Sequence, residues 1–192
     1  MNMLPFYRLP IALFAAVCML LLALPATAQD IDSSAVEHPA AAPEDVVSVD
    51  AIIAALYDVI SGPAGEARDW DRFRSLMMPT AQLIPIVRQN GSVGTIVWSP
   101  DEYIQQAGTY LETNGFFETE TARQEERYGN LVHAFSTYDS FHTAEDEEPF
   151  ARGINSIQLI YQDNRWWVAN IAWQSEWPDL PIPPEYAPTD KN

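Results

Sequence analysis

Cysteine is almost absent from this chain. The one thiol, Cys18, lies inside an apolar leader, so the residues that follow have none, and neither a disulfide nor thiol catalysis is open to them. Basic residues are nearly as scarce: ten Lys and Arg stand against 27 Asp and Glu, a formal charge of −17, and Lys191 is the only lysine. Such a surface repels phosphate backbones, which excludes nucleic acid as a partner and leaves solubility as the plain meaning of the charge. The three histidines do not assemble a metal site. His38 stands in a Pro/Ala-rich segment, while His133 and His142 lie on one strand, about 30 Å apart by strand rise and on opposite faces. No metal and no cofactor is expected. A phosphate-binding glycine loop, H-E-x-x-H and G-x-S-x-G are all missing.

The N-terminus reads as a signal peptide. "MNMLPFYRLP" carries Arg8, "IALFAAVCMLLLAL" is uninterrupted apolar sequence, and "PATA" supplies small residues for a cut after Ala28. The apolar run is shorter than the ~20 residues of a membrane span, so the expectation is a periplasmic or secreted protein with no membrane contact after cleavage. Residues 29–47 hold Pro, Ala and acids without periodicity and read as a flexible linker; residues 178–192 read as a Pro-rich tail. Between them, 48–177 is one domain.

Helix signals open that domain. Ser48 caps a first helix whose Val49, Ile52, Ile53, Leu56 and Ile60 share a face, ending at Gly62-Pro63. Asp69 caps a second, with Trp70, Phe73, Leu76 and Met77 in one stripe and Pro79 as its stop. Asn90-Gly91 turns a hairpin between "AQLIPIVR" and "SVGTIVW", and Pro85 suggests that the first of these strands lies at an edge. "SPDE" starts a third helix with Ser99 as cap, Pro100 at the first helical position and Glu102 completing a capping box; Asn114-Gly115 ends it. Four strands follow in meander, roughly 116–127, 131–142, 150–162 and 165–175. The order implies an α+β domain, a cone-shaped, curved antiparallel sheet wrapped by three helices.

"GNLVHAFSTYDSF" followed by "RGINSIQLIYQDNRWWVANIAW" resembles the last strands of SnoaL-like bacterial members of the nuclear transport factor 2-like superfamily, over about residues 48–177. The resemblance implies a cone that accepts a small molecule and a dimer formed through the outer sheet face. Ketosteroid isomerases of that superfamily place a general-base Asp beside a proline on the first strand; here that place reads Leu83-Ile84-Pro85, so their proton-transfer chemistry is not carried over.

Several residues are candidates for a site. Trp166 and Trp167 are neighbours on a strand and must face opposite ways, one into the cone and one outward, to a partner subunit or under the linker or tail. Asn155, Gln158 and Arg152 interrupt an apolar strand: the amides could orient a ligand and Arg152 could receive a carboxylate, although Asn155 and Arg152 differ in parity. Tyr138, Tyr57 and Trp70 are further ligand-facing candidates, the last two as core residues first. His133 is a candidate general base, with Tyr138 at opposite parity. Glu118 and Glu120 share a face and could form an acid–base pair, but "ETETARQEER" reads as a solvated strand face. Three functions compete: binding of a small apolar molecule, cofactor-free lyase, isomerase or cyclase chemistry, and a homodimeric scaffold whose cone is filled by its own side chains. An acidic or basic group inside the cavity favours the second.

Overall fold

The computed structural model describes residues 38–188. The leader, its cut after Ala28 and the first part of the linker lie outside them. Helices α1 (Pro43–Val46), α2 (Val49–Ile60) and α3 (Trp70–Leu76) precede strands β1 (Met77–Gln89) and β2 (Ser92–Thr95). Helix α4 (Pro100–Asn114) follows, then β3 (Phe117–Tyr128), β4 (Leu131–Phe141), β5 (Ala151–Gln162) and β6 (Arg165–Ser175).

The local signals act as read. Ser48 Oγ accepts from the Ala51 amide at 3.0 Å, Asp69 from Arg72 at 2.8 Å, and Ser99 and Glu102 form the full capping box. Asn90 and Gly91 both have positive φ, 52° and 77°, as the tight hairpin turn requires. Gly115, at φ 70°, stops α4 where a Cβ would press on the His142 carbonyl at 2.5 Å.

Long-range pairing departs from expectation in two ways. The six strands run in the order β2-β1-β6-β5-β4-β3, and β1 pairs in parallel with β6, so the sheet is antiparallel except at that seam. Strand β1 is therefore internal, and β2 is the edge. Pro85 is tolerated because the β2 ladder ends at Thr95; beyond it the Ile96 amide still donates to the Pro85 carbonyl, and only the reciprocal bond is missing.

The core lies between α2, α3 and the inner sheet face. Ile52, Ile53, Phe73, Leu76, Val132, Ile157, Leu159 and Val168 are fully buried there, each side chain contributing on the order of 1.5–3 kcal/mol. Arg68 is a polar exception, 7 % exposed: its guanidinium donates to the carbonyls of Ile60, Gly62, Pro63, Glu66 and Leu111, tying the turn after α2 to the end of α4.

The segments flanking the domain are built into it as well. Part of the stretch read as a linker is helix α1, which buries Val46 and pairs Asp45 with Arg72 at 2.7 Å, holding the carboxyl of Asp45 below its usual range through that guanidinium hydrogen bond. The Pro-rich tail crosses the outer sheet face. Its Tyr186 carbonyl accepts from Thr137 at 2.6 Å, its ring packs edge-on against Phe135 at 4.9 Å, and Arg88 holds both Asp179 and the Trp177 ring.

Candidate functional site

Strand alternation sends one set of side chains into the cone, and two bulges decide which. An extra residue at Thr121 shifts β3 against β4, and another at Ala169 shifts β6 against β5. The second lets Trp166 and Trp173 both point inward in spite of their odd spacing: Trp166 is in the core and Trp173 lines a pocket, while Trp167 faces out beside His38.

The pocket encloses about 220 Å³. It exceeds the ~150 Å³ apolar cavity that holds a benzene ring, so a single-ring molecule fits. Seven aromatic residues line it: Tyr57, Phe73, Tyr103, Phe116, Tyr138, Phe150 and Trp173. Phe73 stacks on Tyr103 at 5.3 Å, and Trp173 meets Tyr103 edge-on at 6.2 Å. The ring of Phe150, 44 % exposed, marks the open side. Gly153 makes room for Tyr138, since a Cβ there would collide with the Tyr138 hydroxyl and the Gln174 carbonyl.

One carboxylate, Glu118, enters this aromatic space from β3. Ser140 donates to its Oε2 at 2.9 Å and Asn155 Nδ2 to its Oε1 at 3.3 Å. Burial pushes the carboxyl up to about 7, against the lowering effect of those two hydrogen bonds. Asn155 Nδ2 also donates to Tyr57 Oη at 3.1 Å. Tyr57 is bonded in turn to Ser136 at 2.7 Å, and Ser136 donates to Glu120 Oε1 at 2.6 Å. A carboxylate only accepts, so the chain has one direction: the Ser136 proton is given to Glu120, and the Tyr57 proton to Ser136. Burial and the Glu118 charge hold the Tyr57 and Tyr103 phenols well above their ordinary range, and burial raises Tyr138 to about 12. Near neutral pH the phenols stay neutral, and among the pocket's lining residues Glu118 is the group that changes charge.

The sequence candidates divide by parity. Asn155, Tyr57 and Tyr138 line the pocket. Gln158 and Arg152 do not: they share the outer face of β5, where Gln158 is exposed and Arg152 pairs with Asp139 at 2.8 Å and Glu176 at 3.9 Å, carboxylates of the chain itself. His133 is on that outer face too, bonded to Ser156 at 2.9 Å, and cannot act as a base inside the cone. Trp70 packs edge-on against Phe73 and donates to Glu112 at 3.0 Å, away from the pocket lining. The solvated reading of β3 fails at its start. Glu118 and Glu120 both point inward, and the clue was parity with Phe116, which lines the same pocket. No group of three or more His, Asp or Glu among the described residues is arranged to hold a metal.

No family model matches the chain, and no curated protein matches it. Solved structures do. A protein with a cystatin-like fold from Caulobacter vibrioides aligns at a TM-score of 0.53 and 14 % identity over 68 % of this chain and 89 % of that one. A protein of unknown function with the same fold from Nostoc punctiforme gives 0.50 and 11 % over 68 % and 89 %. A protein of unknown function from Mycobacterium tuberculosis gives 0.51 and 15 % over 69 % and 73 %. The architecture is thus the cystatin-like cone, and the resemblance seen in the sequence holds at the level of the fold.

Proposed function

We propose that this nuclear transport factor 2-like cone holds a small, largely apolar molecule and that Glu118 exchanges a proton with it, a cofactor-free chemistry of the lyase, isomerase or cyclase kind. The observation that carries the reading is a carboxyl near pH 7 inside an aromatic pocket, with no basic residue lining that pocket. A general acid or base works best when its pKa lies near the working pH, and burial brings Glu118 to that range. The pocket of about 220 Å³ supports this reading over a cone filled by its own side chains.

A thermal-shift screen of single-ring alcohols, amines and hydrocarbons tests the reading. A probe at ~100 times its dissociation constant should add about 2.7 kcal/mol of stability. Asn155→Leu should weaken the hit, and Glu118→Gln should abolish any turnover found with it. Absence of any hit, in protein that carries no molecule when purified, overturns the proposal.

Export and self-association belong to the same reading. The leader supports an exported protein beginning at Gln29; mass spectrometry finding residues 1–28 retained in a membrane fraction contradicts it. A homodimer would pair the part of the outer sheet face around Ile154 and Gln158, and light scattering that finds only monomer at micromolar concentration removes it.

A further inference from the structure

At the Glu118 corner of the pocket the donors of Ser140, Asn155 and Tyr57 are already used. Ser140 donates to Glu118, the Asn155 amide to Glu118 and Tyr57, and the Tyr57 hydroxyl to Ser136. What this corner offers a guest is lone pairs: the Glu118 carboxylate and the remaining one on Tyr57 Oη. A ketone or carboxylate oxygen placed there would have to turn to the hydroxyls of Tyr103 and of the Tyr138–Ser175 pair, and a carboxylate would also meet the Glu118 charge. A nitrogen or hydroxyl bearing hydrogens would find two acceptors.

Charge narrows the choice. No Lys, Arg or His lines the pocket, so an anionic guest would meet Glu118 with nothing to neutralise either charge. Aromatic rings attract a cation through their quadrupoles, and seven of them line the pocket. The acids Glu145, Asp146, Glu147 and Glu148 precede the exposed Phe150 in the sequence, and the chain's charge of −17 raises the local concentration of cations rather than anions.

We infer that the molecule held in the cone is a small hydrophobic amine, bound as its ammonium ion with the nitrogen directed at Glu118. The inference rests on the small-molecule reading above and names its ligand class. Proton exchange in this pair moves one proton from nitrogen to a Glu118 oxygen, turning an ion pair into a neutral amine and a neutral acid, with no other reactant. Glu118 is faced by Tyr57 from α2, Tyr103 from α4, Tyr138 from β4 and Glu120 on its own strand; α3, β1, β5 and β6 bring Phe73, Leu83, Asn155 and Trp173, which do not titrate. The His142 ring stacks on Phe150 at 4.1 Å, outside the lining, so the pH dependence that belongs to Glu118 between pH 6 and 8 is the part that Glu118→Gln removes.

Calorimetric titration of the full chain with benzylamine, benzyl alcohol, toluene and benzoate at pH 6 and pH 8 tests this. Benzylamine remains protonated at both values. At pH 8 it should bind at least tenfold more tightly than benzyl alcohol, and benzoate should not bind. Between pH 8 and pH 6 its affinity should fall roughly tenfold as Glu118 takes up a proton. Glu118→Gln should bring benzylamine to the level of benzyl alcohol and remove the pH dependence. Benzyl alcohol or benzoate binding as tightly as benzylamine at pH 8 overturns the amine while the small-molecule reading stands. Failure of all four probes to bind the folded wild-type protein counts against both.

Discussion

Replacing Glu118 with Gln should make the empty protein more stable at pH 8 while leaving it nearly unchanged at pH 4.5. The carboxyl moves from 4.5 to about 7 on folding, with burial as the main cause. A shift of that size corresponds to about 3 kcal/mol of differential stability. Because the folded value is the higher one, the folded state binds the proton more tightly than the unfolded chain. The stabilising contribution of the protonated form is complete below about pH 4.5 and is lost as pH rises through 7. Above that, the wild type carries the full cost of a buried charge, and the isosteric amide does not. For a domain of this size, 2–3 kcal/mol is roughly 5–10 °C in melting temperature. Thermal denaturation followed by circular dichroism at pH 5, 6, 7 and 8 gives the comparison. Subtracting one profile from the other removes the background of the many surface acids, which both proteins share. Parallel profiles, with the variant no more stable at pH 8 than at pH 5 relative to wild type, would refute the assignment.

Three further substitutions probe what shapes the pocket. Gly153→Ala forces a Cβ against the Tyr138 hydroxyl and the Gln174 carbonyl and should cost about 1–3 kcal/mol in urea unfolding; an unchanged midpoint contradicts the close approach. Arg68→Met leaves five carbonyls without their donor and should cost at least about 2 kcal/mol in the same assay. Trp173→Asp puts a charge among Trp98, Tyr103 and Phe73, so it should destabilise the domain by about 3 kcal/mol or more; a stable domain that merely changes its association state would show that Trp173 faces outward.

What was legible in the sequence is what depends on near neighbours. Caps at Ser48, Asp69 and Ser99 are bonds across three residues, and the Asn90-Gly91 turn is a property of two, so their residue types sufficed. Parity alone separated Trp166 from Trp167 and Asn155 from Arg152. What could not be read was set by distant partners. The parallel seam between β1 and β6 joins residues about ninety positions apart, and Pro85 taken alone pointed to an edge that the short strand β2 in fact supplies. Residues 116–127 look solvated because Glu125 and Glu126 are; Glu118 and Glu120 differ through distant donors, Ser140 on β4 and Asn155 on β5 for the first and Ser136 on β4 for the second, which draw their carboxylates inward. The bulge at Ala169 carries no marker in the sequence, yet it turns Trp173 into the pocket. The tail's prolines ruled out a helix or central strand but said nothing of Thr137 and Phe135, onto which it folds.

The titration of Glu118 itself tests the account most directly. Carbon-13 NMR of glutamate-labelled protein, with the Glu118 carboxyl assigned by its disappearance in Glu118→Gln, follows that one group from pH 3 to 9. The midpoint should lie near 7 and be displaced downward when benzylamine is bound, because the ammonium favours the carboxylate. A midpoint near the ordinary 4.5, unmoved by the amine, would place Glu118 in water and contradict both the proton-exchanging pocket and its proposed ligand.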